Sequence, residues 1–146
     1  MEAVILVGIP GSGKSTFYRE RFFDTHVRIN LDMLRTRERE RILLAACLQA
    51  KQPFVVDNTN VLAEERARYI EPAKAAGFRT VGYYFQTELR AAIARNNKRP
   101  KGQAIPVPGV IAKHKRLQPP AVAEGFDEIY CVELTNKNEF ITAVLS

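Results

Sequence analysis

Residues Gly8-Ile9-Pro10-Gly11-Ser12-Gly13-Lys14-Ser15 satisfy G-x-x-x-x-G-K-[ST] at every fixed position, the pattern of a phosphate-binding loop. The flanking residues agree with that reading. Ala3-Val4-Ile5-Leu6-Val7, just before the loop, is a continuous apolar run, suited to a strand buried on both faces of a parallel sheet. From Ser15 to Phe23 the chain can form a helix with Phe17 and Phe22 available to pack inward. Strand, glycine turn and helix are the order such a loop requires. Glycines at Gly11 and Gly13, with Ser12 between them, let backbone N–H groups converge on an anion. The helix N-terminus adds partial positive charge. Lys14 suits the β- and γ-phosphates of ATP, Ser15 suits a Mg²⁺ ion, and Thr16 is placed for the α-phosphate. ATP and Mg²⁺ are therefore the expected cofactors.

Working outward, five strand candidates alternate with helical segments. The strands are Ala3–Val7, His26–Ile29, Phe54–Val56, Thr80–Phe85 and Glu128–Leu134. The helices are Lys14–Phe23, Met33–Lys51, Leu62–Ala76, Glu88–Asn97, Pro108–Leu117 and Asn138–Leu145. Alternation of this kind predicts an α/β fold with a parallel sheet covered on both faces. Pro72 predicts a kink or restart in the third helix, and Gly77 its C-cap. Residues 100–108, rich in Pro and Gly, read as a loop.

Length and composition bound the answer. The 146 residues suggest one domain, with no run near the roughly 18 apolar residues of a membrane span. The N-terminus enters a strand at once and shows no signal-peptide pattern. Cys47 and Cys131 read as free buried thiols of a reducing, cytoplasmic compartment. His26 and His114 have no evident partners in the sequence, and no Cys/His cluster has metal spacing. The net charge of +6 favours an anionic partner. Basic residues crowd Arg90 to Lys101 and Lys113 to Arg116, where a lid over phosphates, at about 87–107, would fall.

In open parallel sheets ligands bind at the carboxyl ends of the strands. Three polar groups fall there. Asn30-Leu31-Asp32 closes the second strand, Asp57-Asn58-Thr59-Asn60 the third, and Arg95-Asn96-Asn97-Lys98-Arg99 follows the fourth. Val55-Val56-Asp57 has the form of an apolar strand ending in a metal-supporting acid, though the following Asn-Thr-Asn also suits a turn. Asp32 reads equally as a helix N-cap or as a general base on an acceptor hydroxyl. Arg35 lies one helical turn beyond it. Arg37, Arg39 and Arg41, alternating with Glu38 and Glu40, read as a solvated helix face. Arg95 and Arg99, four apart, share a face and could close over ATP and stabilise the transferring phosphoryl group. Tyr69, Tyr83 and Tyr84 read as core or sheet residues.

These pieces together resemble the kinase domain of the polynucleotide 5′-hydroxyl kinases, in phage and in animal DNA repair, from about Ala3 to Leu134. Besides the motifs above, the resemblance is carried by Phe17, Arg66-Ala67-Arg68-Tyr69, Ile105-Pro106 and Glu124-Gly125-Phe126. It implies a P-loop kinase fold with a five-stranded parallel sheet in the order 2-3-1-4-5. It implies that Asp32 is the base on a 5′-hydroxyl end of DNA or RNA and that Arg35 contacts the acceptor. Lys14, Arg95 and Arg99 would meet the donor phosphates. Where the family has Asn-Arg-Asp, this chain has Asn30-Leu31-Asp32, and the phage enzyme's acid falls at Asn58 rather than Asp57. No phosphatase motif accompanies it, so a stand-alone kinase is implied. The same loop, aspartate and lid would also serve a small-molecule kinase, and a nucleotide-dependent binding module would need only the loop.

Overall fold

A computed structural model of the chain describes residues 1–100 and 102–145. Lys101, the end of one basic stretch and part of the expected loop, lies outside the described residues. The elements, in chain order, begin with β1 (Glu2–Val7), α1 (Lys14–Arg21), β2 (Val27–Ile29), α2 (Leu31–Leu34) and α3 (Arg37–Ala50). β3 (Phe54–Val56), α4 (Ala63–Ala75), β4 (Arg79–Phe85) and α5 (Leu89–Asn97) follow. The chain ends with α6 (Val107–Arg116), a 3₁₀ turn (Val122–Glu124), β5 (Glu128–Leu134) and β6 (Phe140–Val144).

The strands form one sheet in the order β2-β3-β1-β4-β5-β6. β1 to β5 pair in parallel. The apolar run of β1 is fully buried because it is central. Ala3, Ile5 and Val7 face one core cluster, and Val4 and Leu6 face the other, the period of two that a strand imposes. α3 and α4 cover the first face with Leu44, Cys47, Tyr69, Ile70 and Ala73. α1 covers the second with Phe17, Tyr18 and Phe22. A small third cluster of Ile9, Ala92 and Val110 seats α5 and α6 against the phosphate loop. No helix among the described residues is long and apolar enough to cross a membrane.

The order expected for the first five strands is the one observed, but the sheet has six. Asn138–Leu145, expected as a helix, instead holds a turn and β6, antiparallel to β5. Asn138 takes a left-handed φ of 59°, and Thr135 N–H donates to the Glu139 carbonyl at 2.8 Å. That hairpin returns Phe140 onto Phe17 with ring centroids 5.2 Å apart. β-branched Ile141, Thr142 and Val144 suit the extended form.

The expected helix Met33–Lys51 is two helices. Arg35 has φ 76°, which ends α2, and Thr36 caps α3 by accepting from Arg39 N–H at 3.1 Å. By contrast α4 runs unbroken through Pro72, since Tyr69, Ile70 and Ala73 on either side of it are held on the sheet. Gly77, with φ 81°, follows the helix end. Both cysteines are free thiols, Cys47 buried and Cys131 only partly so. His26 does have partners: its Nε2 pairs with Glu2 Oε1 at 2.9 Å and its Nδ1 with Thr25 Oγ1 at 2.6 Å.

Candidate active site

The phosphate loop is shaped by two left-handed glycines, Gly11 at φ 82° and Gly13 at φ 96°. A Cβ on Gly11 would stand 2.2 Å from the Ala92 carbonyl oxygen, so α5 packs directly on the loop. Arg95, expected over the donor phosphates, uses its Nε to donate to the Gly11 carbonyl at 2.7 Å. It ties α5 to the loop. Asn96, buried, exchanges two hydrogen bonds with Ile105 at 2.6 and 3.0 Å and closes the segment between them. Arg99 lies just past the end of α5, its N–H on the Asn96 carbonyl, and its side chain is exposed.

Lys14 is buried, and its Nζ donates to the carbonyls of Gly8 and Ile9 at 2.8 and 3.0 Å and to Ser12 Oγ at 3.3 Å. Burial pushes its ammonium from 10.5 down to about 8. Asp57 and Asp32 pull it back up, while Arg99 and Lys113 depress it further. Charges from β3's end, α2, the end of α5 and α6 thus act on one ammonium.

A measurable pH dependence follows. The protonated lysine is the form that attracts phosphate, so ADP affinity should hold steady below pH about 8 and weaken above it, by up to about tenfold per pH unit. Titration calorimetry between pH 7 and 9.5 checks this, and a flat profile would contradict it. The same depressed value costs the folded protein stability below pH about 8, a cost that fades between about 8 and 10.5.

Ser15 and Asp57 meet as the motif reading expects. Ser15 Oγ donates to Asp57 Oδ2 at 2.9 Å. A hydroxyl beside a buried carboxylate at a phosphate loop is a donor set that fits Mg²⁺, which takes few protein oxygens and relies on water and phosphate for the rest. No group of three or more His, Cys, Asp or Glu side chains suited to a metal occurs among the described residues. One further side chain was missed by sequence reasoning. Arg28 Nε donates to Asp57 Oδ2 at 2.8 Å and its Nη2 to Ser15 Oγ at 3.1 Å. The available signal was a charge between Val27 and Ile29 in a strand of a buried sheet.

Asp32 is not the helix cap. Asn30 caps α2, its Oδ1 accepting from Met33 N–H at 2.9 Å while its Nδ2 donates to the Asp57 carbonyl at 2.5 Å. Asn58 Oδ1 accepts from Leu31 N–H at 2.9 Å, so two asparagines bind the ends of β2 and β3 together. Asp32 sits exposed in the first turn of α2. Arg35 does not share its helix face, because the backbone leaves the helix there. Nor is Arg37 merely solvated. It bonds Glu40 at 2.8 Å and the Tyr69 hydroxyl at 3.3 Å. Glu40 is buried and accepts from Tyr69 OH at 3.0 Å and Asn58 Nδ2 at 3.3 Å. Thr16 is exposed at the loop's end, accepting from Arg19.

Residues 4–118 match the AAA domain family (AAA_33). The chain belongs to this family of P-loop kinase domains. Among similar proteins is the bifunctional polynucleotide phosphatase/kinase of Schizosaccharomyces pombe, 29% identical over 132 residues. That alignment takes in 88% of this chain and 32% of the relative. The L-seryl-tRNA(Sec) kinase of Methanococcus maripaludis is 24% identical over 166 residues, 97% of this chain and 64% of the relative. The chain therefore spans about a third and just under two thirds of those two lengths. The crystal structure of a gluconokinase from Sinorhizobium meliloti 1021 superposes with a TM-score of 0.63 at 20% identity. The superposition covers 92% of this chain and 83% of that one. Phosphoryl transfer is the activity such relatives share, and ATP is the donor P-loop kinases use.

Proposed function

We propose that this P-loop kinase transfers the γ-phosphate of ATP to a 5′-hydroxyl end of DNA or RNA, with Asp32 as general base. The observation that carries the reading is the position of the Asp32 carboxylate. It is spared from capping by Asn30, and Asn30 and Asn58 hold the start of its helix against the end of β3, where Asp57 meets Ser15 of the phosphate loop, so it lies close to the phosphate site and remains accessible. Asp32 takes the proton of the acceptor hydroxyl as its oxygen attacks the γ-phosphorus, and ADP leaves in line. Lys14 and Arg99 offset charge on the moving phosphoryl group. Arg95 keeps the lid helix on the loop. A Mg²⁺ ion held by Ser15 and Asp57 would polarise the phosphate oxygens.

A nucleic-acid acceptor is supported by both curated relatives, whose names place their chemistry on polynucleotides or on an aminoacylated tRNA. It is supported too by basic side chains around the site. Lys113 acts on Lys14, and Arg35, Lys115 and Arg116 are exposed.

The test is transfer of labelled γ-phosphate from ATP to 5′-hydroxyl oligonucleotides beside a panel of nucleosides and sugars. The oligonucleotides should be labelled, with apparent affinity falling steeply as salt rises. Labelling confined to the nucleosides or sugars, insensitive to salt, would assign the protein to small-molecule kinases.

A further inference from the structure

Three side chains from three elements form a closed triangle at the end of the phosphate loop. Ser15 Oγ donates to Asp57 Oδ2 at 2.9 Å. Arg28 Nε donates to the same Oδ2 at 2.8 Å, and Arg28 Nη2 to Ser15 Oγ at 3.1 Å. The Asp57 side chain is 1% exposed and that of Arg28 28%. A carboxylate that deeply buried needs a cation or several donors to stay ionised. Arg28 supplies the cation, from edge strand β2, with its guanidinium 6.0 Å from the Tyr18 ring centroid. Tyr18 is itself held, its hydroxyl donating to the His26 carbonyl at 2.7 Å.

These are the two oxygens a divalent ion would use. Ser15 Oγ accepts from Arg28 through the electron density a metal would need, and Asp57 Oδ2 already accepts twice. A guanidinium and a doubly charged ion a few ångströms apart would also repel strongly at so dry a site. Both cannot hold this pair in the observed geometry.

We infer that Arg28 is a built-in counter-cation of the metal position, which a divalent ion must displace from Ser15 and Asp57. Arg28 then sets how much divalent ion the protein requires. With little ion present it keeps the Asp57 charge compensated and the Ser15 hydroxyl oriented. With the ion bound, its partly exposed side chain turns outward over Tyr18 toward solvent. Arg28 is a positioning residue in this account, since it acts through Ser15 and Asp57. The inference rests on the reading of those two residues as the metal pair.

The test is Mn²⁺ binding to the full chain with saturating ADP, followed by electron paramagnetic resonance, for wild type, Arg28→Gln, Arg28→Lys and Asp57→Asn. Arg28→Gln should bind Mn²⁺ at least about tenfold more tightly than wild type, because a competing charge is gone. Arg28→Lys, which keeps a cation but loses the two-pronged contact with Asp57 and Ser15, should bind with an affinity between those of wild type and Arg28→Gln. Without metal, Arg28→Gln should melt lower than wild type, and Mn²⁺ with ADP should raise its melting temperature by more than it raises that of wild type. Equal or weaker Mn²⁺ binding by Arg28→Gln, with binding lost in Asp57→Asn, would overturn the competition while leaving the metal pair standing. Undiminished binding in Asp57→Asn would overturn the metal pair and the inference together.

Discussion

Asp32→Asn is expected to lower the rate of phosphoryl transfer by about 10²–10⁴-fold while ADP binding stays intact. Asparagine keeps the size and one acceptor oxygen of the aspartate but cannot take a proton. The helix does not need the carboxylate as a cap, since Asn30 already serves Met33 N–H. What remains is a first-turn charge, worth under about 1 kcal/mol of stability. The variant should therefore fold and melt almost as wild type, which isolates the chemical step. Steady-state transfer to a 5′-hydroxyl oligonucleotide, ADP calorimetry and a thermal melt are the three measurements. Full turnover in the variant would reduce Asp32 to an electrostatic neighbour of the loop. Loss of turnover together with loss of ADP binding would place it in the donor site instead.

The parts of this site that were legible in the sequence are those specified by local pattern. The apolar run Ala3–Val7 is a central strand because its neighbours leave no face for water. Gly11 and Gly13 sit at positive φ because the turn demands it. Asp57 meets Ser15 because it ends β3, which pairs with β1, the strand that leads into the phosphate loop. The missed parts are contacts across long sequence separation or between competing local signals. Arg28 lies 29 residues from Asp57, and no spacing predicts their pairing. Asn30 and Asp32 are both good cap residues. Only the hydrogen bonds show that the first caps and the second is free. Thr36 suits an N-cap inside the run Met33–Lys51, but the alternating charges around it suit one continuous helix face equally well. At the C-terminal end, Phe140 and Val144 could serve a helix or a strand. The exposed edge of β5 and the ring of Phe17 decide for the strand.

Arg66 exemplifies the long-range pairing that escapes a sequence reading, and it leads to the largest stability effect expected of a single substitution. Its side chain has no exposure. Nε and Nη2 donate to Glu124 Oε1 and Oε2 at 2.7 and 2.9 Å, and Nη1 donates to the Asn60 carbonyl at 2.8 Å. Glu124 keeps 15% of its side chain in contact with solvent. The two halves of the pair are therefore unequal. Arginine cannot shed its proton, so Glu124→Leu leaves a buried cation with one carbonyl for company and should cost about 3–5 kcal/mol. Arg66→Met fills much of the same space and leaves a carboxylate that can reach water, so its cost should be smaller. The double variant removes both charges and should recover much of the Glu124→Leu loss, as replacing a whole buried pair often does. In a domain of this size each kcal/mol moves the melting temperature by roughly 2–4 °C, so melts of the three variants resolve the ranking. The consequence reaches the site, because Asn60 also donates to the Leu6 carbonyl at 2.9 Å, between the central strand and the Asp57 segment. Equal losses for the two single variants would mean that water reaches Arg66 when its partner goes, and that the pair holds the fold by packing rather than by charge.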